Sequence, residues 1–99
     1  MTPRLEQPVA LDYEFDAPIG VDVKGDVWSA VQIPDSVAVF GGLRSVRVDA
    51  KVDETSLENV GLMPTGSGEL MMSVSAALRK KLGKDVGEPV HVVILRRLT

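Results

Sequence analysis

Six basic side chains crowd the last part of this 99-residue chain: Arg79, Lys80, Lys81, Lys84, Arg96 and Arg97. Grouped cations of this kind can neutralise phosphates, the contact on which nucleic-acid affinity rests. Three of them, Arg79 to Lys81, also fall where a short helix should end, and cations there complement the carbonyl end of the helix dipole. Asp49, Asp53, Glu54 and Glu58 form the acidic counterpart. Paired carboxylates divide acid and base work only when burial separates their pKa values, and these four sit at a strand end open to water. Pro64-Thr65-Gly66-Ser67-Gly68 could turn amides toward an anion, but it lacks the Gly-Lys-Ser/Thr ending of a phosphate loop and reads as a connection. His91 is the single histidine, with no nucleophile motif beside it, so it reads as a structural or surface residue. Trp28, with Tyr13 and Phe15, could line a pocket at a barrel mouth, with Arg44 or Arg47 supplying polarity. The plainer role for Trp28 is a core anchor. Met63, Met71 and Met72 read as core filler.

The candidate ligand or partner contacts are therefore Trp28, Arg44, Arg47, Arg79, Lys80 and Lys81. No catalytic residue, cofactor site or metal site is expected. The chain has no cysteine, which excludes disulfides, thiolate chemistry and sulfur-ligated metals, and one histidine cannot build a multi-histidine centre. No apolar run approaches the ~20 residues that span a bilayer, and the first residues lack the apolar segment of a secretory signal. A cytoplasmic protein without a membrane partner is expected. Hydrophobic content of 44% and charged content of 25% suit a folded domain. The net charge of −3 is unevenly spread: residues 1–60 hold five basic against eleven acidic side chains, and residues 61–99 hold six against three. Interleaving of the halves in space would erase that asymmetry.

Positioning these residues falls to short strands rich in valine. Residues 1–10 read as a flexible tail and 11–99 as one small domain. Leu11, Tyr13 and Phe15 alternate with acidic residues as a half-buried strand, and Val27 to Ile33 reads as a second. Pro34-Asp35-Ser36 starts a turn of helix ending near Gly41-Gly42. Val46, Val48, Ala50 and Val52 alternate with polar residues, the clearest period of two in the chain. Further strands are predicted from Ser56 to Met63, up to Val74, and from Val90 to Leu95, the last buried on most of both faces. Ser75 caps a helix through Leu82, and Gly83 closes it in the left-handed region. Strand, short helix, glycine, strand occurs twice, from Val27 and again from Leu70, which suggests internal duplication.

Leu62-Met63-Pro64, Gly66-Ser67-Gly68, Val74, Ala77-Leu78-Arg79-Lys80, Gly83-Lys84, Gly87 and Val90-His91-Val92 resemble a family of small bacterial and archaeal barrels. Tyr13-Glu14-Phe15, Trp28 and Phe40-Gly41 extend the resemblance to roughly Leu11–Leu95. The family is known only as a domain of unknown function, sometimes fused to YdeI/OmpD-associated, bacteriocin-protection segments. The resemblance implies a mostly β fold: a single closed six-stranded double-split barrel, pseudo-duplicated, with one or two short helices. That barrel is distantly similar to the swapped-hairpin barrels of AbrB/MazE-type regulators. Relatives often carry a basic residue at or near Asn59, where this chain has none. The function expected is a non-enzymatic binding module, its ligand or protein partner unknown and a monomer favoured over a homodimer. The alternatives are an AbrB-like nucleic-acid binder, against which the negative charge argues, and a small-molecule carrier or enzyme using the barrel mouth.

Overall fold

A computed structural model describes residues 9–99. Eight strands and two helices follow in order: β1 (Val9–Pro18), β2 (Val21–Val23), β3 (Asp26–Trp28), β4 (Ala30–Ile33), α1 (Ser36–Phe40), β5 (Val46–Val52), β6 (Thr55–Pro64), β7 (Leu70–Ser73), α2 (Ala76–Leu82) and β8 (Pro89–Arg97). The expected tail lies mostly outside the described residues, and its last two members, Val9 and Ala10, already belong to β1.

Six strands form one antiparallel sheet in the order β1-β8-β5-β6-β7-β4, and β2 with β3 forms a separate hairpin. The two strand–helix–strand units pair with each other, β4 against β7 and β5 against β8, with Ala50 opposite Ile94 at the centre. Under that relation β1 takes the place of β6. The symmetry breaks where closure is needed. Pro64 pairs with Leu70 across a short loop, so β6 and β7 are bound to pair. Between β1 and β4 the chain instead inserts the β2–β3 hairpin, and the two edge strands approach without exchanging ladder bonds. The expected closed barrel is thus an open half-barrel. The Tyr13 hydroxyl bridges the seam, donating to the Pro34 carbonyl at 2.8 Å.

Alternation explains the core. Val46, Val48, Ala50 and Val52 of β5 and Val90, Val92 and Ile94 of β8 point inward, and Leu62, Leu70 and Met72 meet them. Leu78 of α2 and Phe40 of α1 plug the ends of the curved sheet. β8 is buried on one face and only half-buried on the other, because no other element among the described residues covers the outside of the sheet's centre. The hairpin covers the outside elsewhere: Val21 packs on Ala30 and Met71 in a second, smaller cluster. The strand predicted from Val27 to Ile33 is therefore two strands, broken at Ser29. There the backbone turns aside to exchange bonds with Val74: the Ser29 hydroxyl donates to the Val74 carbonyl at 2.6 Å, and the Val74 amide donates to the Ser29 carbonyl at 2.9 Å.

Both helix ends follow local chemistry. The Ser75 hydroxyl accepts from the Leu78 amide at 3.1 Å, and Gly83 closes α2 at φ 68°. α1 starts differently, since Asp35 is left-handed and makes no side-chain cap. Ser36, wholly buried, holds that end together instead: its hydroxyl accepts from the Leu70 amide at 2.9 Å and lies 3.0 Å from Glu69 Oε2.

Candidate functional site

Trp28 does not anchor the core. It sits at the end of β3 with 44% of its surface exposed, beside Met63, also 44% exposed, and neighbouring Val27 is 66% exposed. Trp28, Met63, Met71, Val74 and Ala76 line an outer groove of about 320 Å³, with Ser29, Ser73 and Ser75 supplying its few polar atoms. The groove exists because the hairpin overhangs β7 and leaves the start of α2 uncovered. Tyr13 and Phe15 lie elsewhere, ring against ring at 5.6 Å and packed on the main core, so the expected aromatic mouth does not form. Neither Arg44 nor Arg47 borders the Trp28 groove. Of the three methionines read as core, Met71 and Met72 are buried and Met63 is surface. Its position next to Pro64 at a strand end is the signal that favoured this.

Arg47 has a task inside the sheet. It lies across Gly61, its strand partner, where a β-carbon would come within 3.2 Å of the guanidinium. From there Nε donates to Asn59 Oδ1 at 2.6 Å, and Nη2 reaches the Asn59 carbonyl. Asn59 occupies the left-handed region at φ 54° in a bulge of β6, and its amide donates to Asp49 Oδ1 at 2.9 Å. Arg96 closes the chain of contacts on Asp49 Oδ2 at 2.8 Å. Asn59, a neutral residue, is thus held by a cation of the neighbouring strand. Arg44 lines a different groove, beside Arg97.

The basic cluster is largely committed. Arg79 pairs with Asp85 at 2.7 Å and Lys84 with Asp53 at 2.9 Å, as Arg96 does with Asp49. Lys80 and Lys81 have no partner among the described residues; both are exposed on α2, one turn beyond Ala76 and Ala77. The acidic residues are likewise dispersed, Asp49 to Arg96 and Asp53 to Lys84, while Glu54 is open to solvent beside Lys51. Asp53 also accepts from the His91 amide at 2.9 Å; that bond and the Lys84 contact hold its carboxyl below the usual range. His91 is a surface residue on the outer face of β8. Its Nδ1 lies 2.7 Å from Asp16 and its Nε2 lies 3.7 Å from Glu14, and these carboxylates, Asp16 first, raise its pKa. Loop 65–69 turns its polar groups on itself, Ser67 donating to Thr65 Oγ1 at 3.1 Å and the Thr65 amide to the Glu69 carbonyl at 2.9 Å. Among the described residues no three His, Cys, Asp or Glu side chains gather to hold a metal, and no helix is long and apolar enough to cross a membrane.

The family profile described as a domain of unknown function, DUF1905, matches residues 15–94. The chain belongs to that family. No curated protein matches it. The span shared with DUF1905 takes in Trp28, Arg44, Arg47, Arg79, Lys80 and Lys81, and leaves Arg96 and Arg97 beyond it. Among these, Trp28 and Lys80 line two different grooves that share Ala76. The structure separates Arg44 and Arg47 from them. Met63 and Arg97 are the groove residues that sequence reasoning missed as a pocket wall, since neither is adjacent in sequence to what it faces.

Proposed function

We propose that this domain is a non-enzymatic binding module for a protein segment that carries an apolar anchor followed by acidic residues. The observation that carries this reading is the exposure of the chain's single tryptophan in a groove walled by Met63, Met71 and Val74. Half-exposed Trp and Met beside a concave apolar surface are the usual makings of an interaction hot spot. Charge selects the partner. Ala76 at the groove's edge continues along α2 into exposed Lys80 and Lys81, neither of them paired with a carboxylate among the described residues. A bound segment that buries a Leu or Phe against Trp28 would place its next residues over those lysines. An enzyme at the barrel mouth has less support, because the inside of the curved sheet is filled by apolar side chains.

The test is selection of displayed random peptides on the folded domain, followed by titration of the domain against the best peptide, synthesised with a fluorescent label and followed by its anisotropy. Peptides with one large apolar residue flanked by Asp or Glu are expected, binding at least tenfold more weakly to Trp28→Ala and to Lys80→Glu/Lys81→Glu. Selected peptides that bind Trp28→Ala unchanged would overturn the reading. So would retention on a short DNA duplex at low salt that disappears in Lys80→Glu/Lys81→Glu and persists in Trp28→Ala. That result would put the AbrB-like nucleic-acid reading in its place.

A further inference from the structure

We infer that the groove at the C-terminal end of α1 binds a small organic anion, its charged head held between Arg44 and Arg97 and its apolar body against Leu43 and Val46. The groove encloses about 350 Å³, within the range that takes a small molecule, and lies among Phe40, Gly41, Gly42, Arg44, Val46 and Arg97. No Asp or Glu among the described residues lines it. That is unusual in a chain with fourteen acidic and eleven basic residues, where Arg79, Lys84 and Arg96 each meet a carboxylate.

Arg97 is pre-set for the task. It donates from Nη1 to the Phe40 carbonyl at 2.9 Å and from Nε to the main-chain oxygen of Thr99. These two bonds fix the plane of the guanidinium and leave Nη2 available. Arg44 is exposed and has no partner among the described residues, so it can swing onto a ligand. A planar fork from each side suits the oxygens of a carboxylate or phosphate, which accept paired N–H donors. Gly41 closes α1 at φ 76°, and a β-carbon there would meet nothing within 4 Å, so the backbone is open to close approach. Phe40 and Val46 supply a dry wall behind the charges, which strengthens any ion pair formed in front of it. Arg97 lies beyond the residues matched by the family profile.

The experiment is a titration of the ¹⁵N-labelled domain with phenyl phosphate and with benzoate, following the amides of Gly41, Gly42 and Leu43, with benzyl alcohol as the neutral counterpart. Saturable shifts with either anion, absent with benzyl alcohol and weakened at least tenfold in Arg44→Gln, are expected. Arg44 is exposed and makes no hydrogen bond or ion pair among the described residues, so Arg44→Gln should unfold at the wild-type temperature. Arg97→Gln should abolish the shifts, and its own unfolding curve separates lost binding from lost structure. No saturable shift with either anion overturns the inference, as does an equal response to benzyl alcohol or an undiminished response in Arg44→Gln.

Discussion

Replacing Ser36 by Ala should cost far more than the loss of one oxygen suggests. Ser36 is fully buried, and its hydroxyl is the acceptor for the Leu70 amide at 2.9 Å. The same oxygen lies within hydrogen-bond reach of the Ile33 carbonyl and, at 3.0 Å, of Glu69 Oε2; its single proton serves one of them at a time. Ile33 and Leu70 are opposite one another on β4 and β7, so the hydroxyl sits at the join of two strands and a helix. Ser36→Ala strands a buried N–H, worth about 1–3 kcal/mol, and removes one further net hydrogen bond of about 1 kcal/mol. The sum is about 2–4 kcal/mol, which for a domain of this size lowers the melting temperature by roughly 10–25 °C. Urea and thermal unfolding followed by circular dichroism measure it directly. Glu69→Gln, combined with Ser36→Ala in a double-mutant cycle, should show a coupling of at least about 0.5 kcal/mol. A Ser36→Ala loss below about 0.5 kcal/mol would refute the reasoning, because it would mean that the Leu70 amide has another partner.

Other perturbations test other parts of the fold. The raised pKa of His91 means that its pairing with Asp16 stabilises the fold fully below histidine's ordinary pKa of about 6.5, and that this contribution fades as pH rises through the higher folded value. An NMR titration of the His91 ring should show a lower pKa in Asp16→Asn, and an unchanged one would remove Asp16 as the cause. For Asp53 the sign is opposite: its lowered pKa gives stability that is present above the ordinary carboxylate range and lost as pH falls through the folded value. Unfolding curves of Asp53→Asn should therefore converge on wild type in acid and diverge toward neutral pH. Met71→Ala opens the small cluster under the hairpin and should cost about 2–4 kcal/mol, while also altering Trp28 emission, since both residues line one groove. Gly61→Ala pushes only the far end of Arg47 and should cost less than about 1 kcal/mol by urea unfolding.

Local chemistry was legible wherever neighbours in sequence decide the outcome. Ser75, the Arg79–Lys81 turn and Gly83 specify α2 within one window, and the alternation of Val46, Val48, Ala50 and Val52 names the inward face of β5 without any partner being known. The twofold pattern of strand, helix and strand likewise follows from local spacing and reappears as β4 pairing with β7 and β5 with β8. Family membership came from residues of this kind, because motifs are themselves local.

What the tertiary structure decided depends on which surfaces meet. Valine-rich alternation is equally compatible with a closed barrel and an open sheet; the inserted β2–β3 hairpin, drawn over Ala30 and Met71, keeps β1 and β4 from pairing. A tryptophan in a small chain reads as core, yet Trp28 ends an overhanging hairpin and has no interior to enter. Charge counting showed six cations near the C-terminus but could not divide them. Asp85, Asp53 and Asp49 neutralise three, and Arg97 lines the same groove as Arg44, 53 positions away in sequence. Composition and period specify elements because they act over a few residues; pairing of charges and closure of a sheet are long-range, and only the folded chain brings their partners within reach.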